Sequence, residues 1–269
     1  MTQRPTSLDQ LLREWPYEFG EVVARWAHGA DGRPVLQMRI DLGVLQMEVE
    51  GRPDGNRPEG AESYCALIAR YEQKRGKQPW ILDAQQCAEV DREFVQFYHR
   101  RVAWLALHEF RRAQADADHT LLLMDRSAAH SPTEEWVEAH EQYRPFVLFH
   151  RTQAAALAEL EESAPDLALR EIDAGRRLIA SLESQEEGLS ESDPASPSGG
   201  RRFQAGEDLT EEAEGPSEFL QKLAALRDSI LSEYGLDPSL EEQLSEAIAK
   251  EQYERAAVLR DQISAQQRS

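Results

Sequence analysis

The sequence predicts an α+β protein that is mostly α. A small N-terminal antiparallel β unit packs on a helical bundle, and a disordered linker leads to a C-terminal helical hairpin. Three observations predict this order. Strict alternation of apolar and polar residues is confined to residues 36–49, the mark of strands with one buried face. From Ala61 to about Glu183 apolar residues recur at helical spacing, punctuated by capping and proline start signals. Over residues 184–215 periodicity stops in SQEEGLSESDPASPSGGRRFQAGEDLTEEAEG, and it returns at Pro216.

A short N-terminal helix precedes the β unit, the two together spanning residues 7–50. The run EVVARWAH is rich in β-branched and aromatic residues, and the Asp-Gly of the following GADGR is a hairpin signal. Leu36, Met38, Ile40 and Leu42 then alternate with Gln37, Arg39 and Asp41. After Gly43 the pattern resumes with Leu45, Met47 and Val49 against Gln46, Glu48 and Glu50. Val-Leu-Gln-Met occurs twice, at Val35–Met38 and Val44–Met47. The repeat fits two duplicated adjacent strands or one long strand bent at Gly43. A three-stranded meander is the expectation, and so small a sheet must lay its apolar face on the following helices. GRPDGNRPEG, residues 51–60, is turn-rich. It reads either as a binding loop or as a connection that redirects the chain.

Ala61–Gly76 reads as one helix. Asp83 opens a longer one, with Gln86 completing a capping box. Phe94, Tyr98, Leu105 and Glu109 fall near one face, with Val102 and Ala106 beside them. Gln114–His130 forms the next helix. Ser131-Pro132 starts another that runs to about Ser163 with a bend at Pro145. Ala164-Pro165-Asp166 starts the last of the set, ending near Glu183. Tyr98-His99-Arg100 with Ala103, Ala113, Ala117 and Leu121 matches Phe149-His150-Arg151 with Ala154, Ala164, Ala168 and Ile172 at one common offset. The match is either a duplicated helical hairpin, weakly similar to tetratricopeptide-type repeats, or alanine-rich helices agreeing by composition. The offset exceeds the usual ~34-residue unit, and two hairpins point to a compact bundle rather than a solenoid.

Charge narrows the function. The net charge is −20, with 30 Lys+Arg against 50 Asp+Glu, which argues against the basic surfaces that duplex DNA binding draws on. His99-Arg100-Arg101 and Arg111-Arg112 form a local basic set, read as exposed residues of one long helix, with anion or nucleic-acid contact as the alternative. Cys65 and Cys87 are isolated, so they offer neither a zinc pair nor a disulfide framework, and a reducing compartment follows. The N-terminus lacks the apolar stretch of a signal peptide, and no run approaches the ~20 residues of a membrane helix. The expectation is a cytoplasmic protein that binds neither membrane nor nucleic acid directly.

No GxSxG, Walker loop or GxGxxG occurs. Asp116 and His119 have the i,i+3 spacing of bundle metal sites, but His108-Glu109 are adjacent and diverge, and His140 and His150 lack a carboxylate at that spacing. No catalytic residue, metal or cofactor is therefore expected.

The 184–215 segment cannot bury enough apolar area to offset its ordering entropy, so it reads as an acidic tether. Pro216 starts PSEFLQKLAALRDSILSEYG, closed by Gly235, and Asp237-Pro238 opens the last pair of helices. Leu240, Leu244, Ala247 and Ile248 line the first. Lys250-Glu251-Gln252 makes the turn, and Tyr253, Ala256, Ala257, Leu259 and Ile263 line the second. Ala256 and Ala257 sit where the helices should approach closest. Over residues 236–267 this pattern resembles the UVR motif, the small helical hairpin at the end of UvrB and inside UvrC. The motif's aromatic, glutamate, alanine pair and Arg-Asp stand here as Tyr253, Glu254, Ala256-Ala257 and Arg260-Asp261, with tyrosine for the more usual phenylalanine. Arg39 to Gly60 also resembles a block of uncharacterised bacterial proteins that end in the same motif.

The resemblance implies a protein partner, with another UVR-containing protein and self-association both open. It implies partner contact through Leu244, Ile248, Tyr253, Glu254, Ala256, Ala257, Arg260, Asp261 and Ile263, the charges setting orientation more than affinity. In the family the motif joins UvrB to UvrC, and it occurs in adaptors such as McsA, an activator of a protein arginine kinase, and in some Clp-type ATPases. McsA-like zinc-binding cysteines are absent here, as is the helicase and nuclease machinery of UvrB and UvrC. Ala225–Ile230 echoes Val258–Ile263, as a degenerate half-motif or as helix composition. The expectation is a non-enzymatic adaptor linked to excision repair or stress response. The folded part spans 1–60 and 61–183, the linker 184–215 and the C-terminal helices 216–269, with the hairpin at 237–267. The alternative is a ligand- or metal-dependent enzyme or regulator with its site in the N-terminal domain. A pocket lined by His99, His108 or His119, or the Arg52–Arg57 loop, would be its place.

Overall fold

The computed structural model describes residues 7–76, 78–190, 215–238 and 240–266. Residues up to Leu223 form one compact unit and those from Ala224 onward a second.

The larger unit opens with α1 (Leu8–Glu14), whose N-cap Ser7 accepts from the Gln10 amide. β1 (Val23–His28), β2 (Pro34–Ile40) and β3 (Gly43–Glu48) follow as an antiparallel meander of order β1-β2-β3. The two Val-Leu-Gln-Met copies lie on neighbouring strands in opposite directions, so Leu36 faces Met47, Gln37 faces Gln46 and Met38 faces Leu45. Residues directly opposite share a sheet face, and the repeat therefore pairs apolar with apolar and amide with amide. Leu36, Met38 and Met47 are buried, and β1 and β2 pack on the helix α3 defined below. Trp26 lies 5.1 Å from Trp104 there. On the other face Gln37 accepts from Arg25 and donates to Gln46.

Two strand expectations are corrected. Leu42, expected on the buried face, sits in the β2–β3 turn and is 87% exposed. Arg39, expected to point outward, is buried. Its guanidinium donates to the carbonyls of Trp15, Ile40, Asp41 and Gly43, bracing the turn against the segment after α1.

The helices are α2 (Tyr64–Arg75), α3 (Ala84–Ala106), α4 (Phe110–Ala128), α5 (Glu134–Glu141), α6 (Arg144–Glu161) and α7 (Pro165–Ser190). Packing runs α3 on α4, α4 on α6, and α6 on α7. Fully buried alanines, Ala103, Ala113, Ala117, Ala154 and Ala168, let these axes approach closely. The capping box of Asp83 and Gln86 forms as read. Ser63 caps α2, a little later than the predicted start at Ala61. Glu109 is not on the α3 face: His108 turns the chain at φ 59°, and Glu109 is the N-cap of α4, which starts before Gln114. The bend expected at Pro145 is a break. α5 ends at Glu141 and α6 restarts with the proline in its first turn, where a missing N–H costs no helical hydrogen bond. α7 continues past Glu183 to Ser190. The rest of the predicted linker, residues 191–214, lies outside the described residues.

The repeat match does not superpose the two helical hairpins. Their reversals, at His108 and Ser163, both left-handed, are separated by one helical turn more than the offset that relates the matched residues. At that offset Ala113, inside α4, falls on Ala164, outside α7. Ala164 apart, the matched alanines share burial at helix interfaces.

α8 (Pro216–Tyr234) begins in the larger unit and continues into the second. In the larger unit Phe219 stacks on Phe149 with ring centroids 5.1 Å apart. Gly235, at φ 62°, closes the helix. The second unit ends in α9 (Leu240–Ala249) and α10 (Tyr253–Gln266). No described helix is long and apolar enough to cross a membrane.

Candidate functional site

In the larger unit, charge is concentrated where the 51–60 loop meets α2, α3 and α4. Glu93 is fully buried on the inner face of α3. Its carboxylate accepts from the amides of Tyr64 at 2.5 Å and Cys65 at 3.0 Å, and sits 2.9 Å from His119 Nε2. It therefore serves two of the open N–H groups at the start of α2. Arg52, 2% exposed, lies 2.7 Å from Glu89, 3.3 Å from Asp54 and 3.8 Å from Glu93. Burial pushes the Asp54 carboxyl up, but hydrogen bonds from Gln96 and Asn56 and the Arg52 charge outweigh it and hold Asp54 below its ordinary value. Arg100 makes a two-pronged pair with Asp116 at 2.8 and 2.7 Å and donates to the carbonyls of Glu48 and Gly51.

These contacts revise the basic set. Arg100 and Arg101 are buried in α3, while Arg111 and Arg112 lie exposed on α4. Asp116 and His119, the candidate metal pair, are turned to Arg100 and Glu93 respectively. His99, His108 and His119 do not converge. His108 is exposed in the α3–α4 turn beside Phe110, His119 stacks on Phe97, and burial lowers the His99 pKa from its ordinary value. Among the described residues no three His, Cys, Asp or Glu side chains are grouped to hold a metal. Burial pushes the Cys65 thiol up to about 11 and raises that of Cys87, so both stay protonated near neutrality.

The C-terminal hairpin is built differently. Ala247, Ala256 and Leu259 form its core, with Leu240 and Leu244 packed against them. Glu251, at φ 56°, makes the turn, and the Gln252 amide donates to Ala247 O at 2.7 Å. Of the alanine pair only Ala256 lies between the helices; Ala257 is exposed, against the expectation that both do. The side chains predicted to meet a partner thus divide. Leu244 and Ala256 serve the hairpin's own core, and Ile263 is half-buried. Ile248 and Tyr253 are 53% and 68% exposed, and Glu254, Ala257, Arg260 and Asp261 face outward with them. Val258, not named from the sequence, is equally open. A helical wheel reveals it, because it shares a face with Glu254 and Asp261.

Residues 238–268 match the family model of the UvrB/uvrC motif, UVR. The C-terminal hairpin is a UVR motif. No other family model matches the chain, and comparison with curated proteins and with solved structures found no match. The UVR match covers α9, α10 and the turn between them, the same elements in which Ile248 and Tyr253 flank the reversal.

The polar hub was missed in the sequence, although a signal existed. Val90, Glu93, Phe97, Arg100 and Trp104 recur at helical spacing on the buried face of α3. A charged residue on such a stripe needs partners.

Proposed function

We propose that this protein is a non-enzymatic adaptor that holds a protein partner through the outer face of its UVR hairpin. The observation that carries the reading is the division of the hairpin's apolar residues. A small inner set closes the two helices on each other, and Ile248, Tyr253 and Val258 are left in solvent. Exposed apolar side chains flanked by Glu254, Arg260 and Asp261 match the anatomy of a docking surface, in which apolar anchors carry affinity and rim charges set orientation. UVR motifs occur in UvrB and UvrC and in protein-interaction contexts, which supports another UVR-containing protein as partner and excision repair or stress response as setting.

Affinity capture with the full chain and with Ile248→Asp/Tyr253→Asp tests it. The double variant is expected to keep the hairpin helices and lose the captured partner. Recovery of the same partner by both proteins would refute the assignment. A truncation control should end after Gly235, because removing α8 would strip Phe219 from Phe149 and damage the larger unit.

A further inference from the structure

We propose that the groove between the 51–60 loop and the first turns of α3 binds a small hydroxylated anion, a carboxylate or phosphate carried on a polyol, through Arg57 and Arg92. The groove has a volume of about 510 Å³, within the range of roughly 300–1,000 Å³ typical of small-molecule sites.

Its acids are already engaged. Glu59 accepts from the Tyr71 hydroxyl and pairs with Arg70 at 3.5 Å. Asp83 caps α3. Glu89 lies between Arg52 at 2.7 Å and Arg92 at 3.3 Å. Two of the cations, Arg57 and Arg92, are not fully matched in return. Arg57 is exposed and makes no side-chain hydrogen bond or ion pair among the described residues. Arg92 is 58% exposed and shares its single carboxylate with Arg52. Arg52, buried in the wall, is held by Glu89, Asp54, Glu93 and Gln96, and its Nη2 lacks an aligned hydrogen bond. Guanidinium groups with spare donors select carboxylate or phosphate. In the same wall the Gln85 side-chain amide, and the Asn56 carbonyl oxygen left open when its Nδ2 donates to Asp54, supply partners for hydroxyls.

The wall is also preformed. Glu48 N donates to Pro53 O at 2.8 Å, Arg52 N donates to Glu62 O at 3.0 Å, and Glu59 is held at φ 46°. A ligand entering it has little loop ordering to overcome. The net charge of −20 opposes an anion only weakly, because charges beyond a Debye length of about 8 Å are largely screened at physiological ionic strength. The neighbouring groove, about 750 Å³, shares Arg52 and Arg57 with this one but adds Glu50 and Glu62, which have no ion partners among the described residues, so the α3 side is the less repulsive to an anion.

Isothermal titration of the full chain with ribose 5-phosphate, citrate, inorganic phosphate and ribose tests this. Saturable binding of ribose 5-phosphate or citrate is expected, and which one binds separates phosphate from carboxylate. Arg57→Ala should weaken it about tenfold or more, the scale of one charge-assisted hydrogen bond, while leaving the unliganded melting temperature unchanged. No saturable heat with either anion at millimolar concentration, or equal affinity in Arg57→Ala, would overturn the site. Inorganic phosphate or ribose binding as tightly would overturn the ligand class. Ile248→Asp/Tyr253→Asp should bind the anion normally, so failure here is separable from failure of the adaptor reading.

Discussion

The 51–60 loop with its helices and the UVR hairpin use charge in opposite ways. In the larger unit Arg52, Glu93, Arg100 and Asp116 are buried and bonded to one another or to backbone. In the hairpin Arg260 and Asp261 lie 3.8 Å apart with side chains 71% and 79% exposed, and the core between the helices is made of alanine and leucine. Buried charges hold a structure only while all partners are present, because a lone buried ion has no water to replace the lost bond. Exposed charges add little to stability and remain free for a second molecule. The larger unit uses its buried polar groups for its own architecture, and the hairpin keeps its charges outside.

The sharpest way to break this contrast is Glu93→Ala. It strips the carboxylate from His119 and from the amides of Tyr64 and Cys65 at once, and takes the most distant of three carboxylates from Arg52, which keeps Glu89 and Asp54. Breaking a buried ionic group costs about 3–5 kcal/mol, which for a unit this size lowers the melting temperature by on the order of 10 °C. Thermal unfolding followed by circular dichroism measures it. A shift of only a degree or two would mean that Glu93 is not the hub of the loop.

In the hairpin the largest effect should come from an apolar position. Ala256→Asp places a carboxylate between α9 and α10, beside Ala247 and Leu259, with no partner for it. An unsatisfied polar group costs roughly 2–7 kcal/mol, more than so small a core supplies. Amide exchange should show protection lost across α9 and α10 while the thermal transition of the larger unit stays in place. Protection retained at the hairpin would refute close packing at Ala256.

Most of the fold was legible because local signals and burial agree. The Asp83–Gln86 box, the glycine stop at Gly235 and the alternation of β2 each act within a few residues. What was not legible depends on residues distant in sequence. Arg39 reads as an outward strand residue until the carbonyls of Trp15 and Gly43 converge on it. Arg100 and Arg101 read as surface until Asp116 and Thr120 on α4 meet them. The hairpin was legible as a motif, but that Ala256 and not Ala257 faces inward emerges only where α10 packs on Ala247 of α9.

Arg260→Ala is the smallest expected perturbation and the most discriminating. Exposed positions change stability within about 0.5 kcal/mol when substituted, and the Arg260–Asp261 contact joins chain neighbours already in solvent. Hairpin protection should therefore match that of the unaltered protein. If the outer face docks a partner, the loss of a rim charge should appear in the association rate and its salt dependence, with dissociation little changed. Surface plasmon resonance with the captured partner at two ionic strengths separates these quantities. Unchanged association at both would mean that Arg260 takes no part in docking and leave it to the apolar anchors Ile248, Tyr253 and Val258 with the remaining charges. A measurable loss of hairpin stability would show that this charge serves the fold, as the buried arginines of the larger unit do.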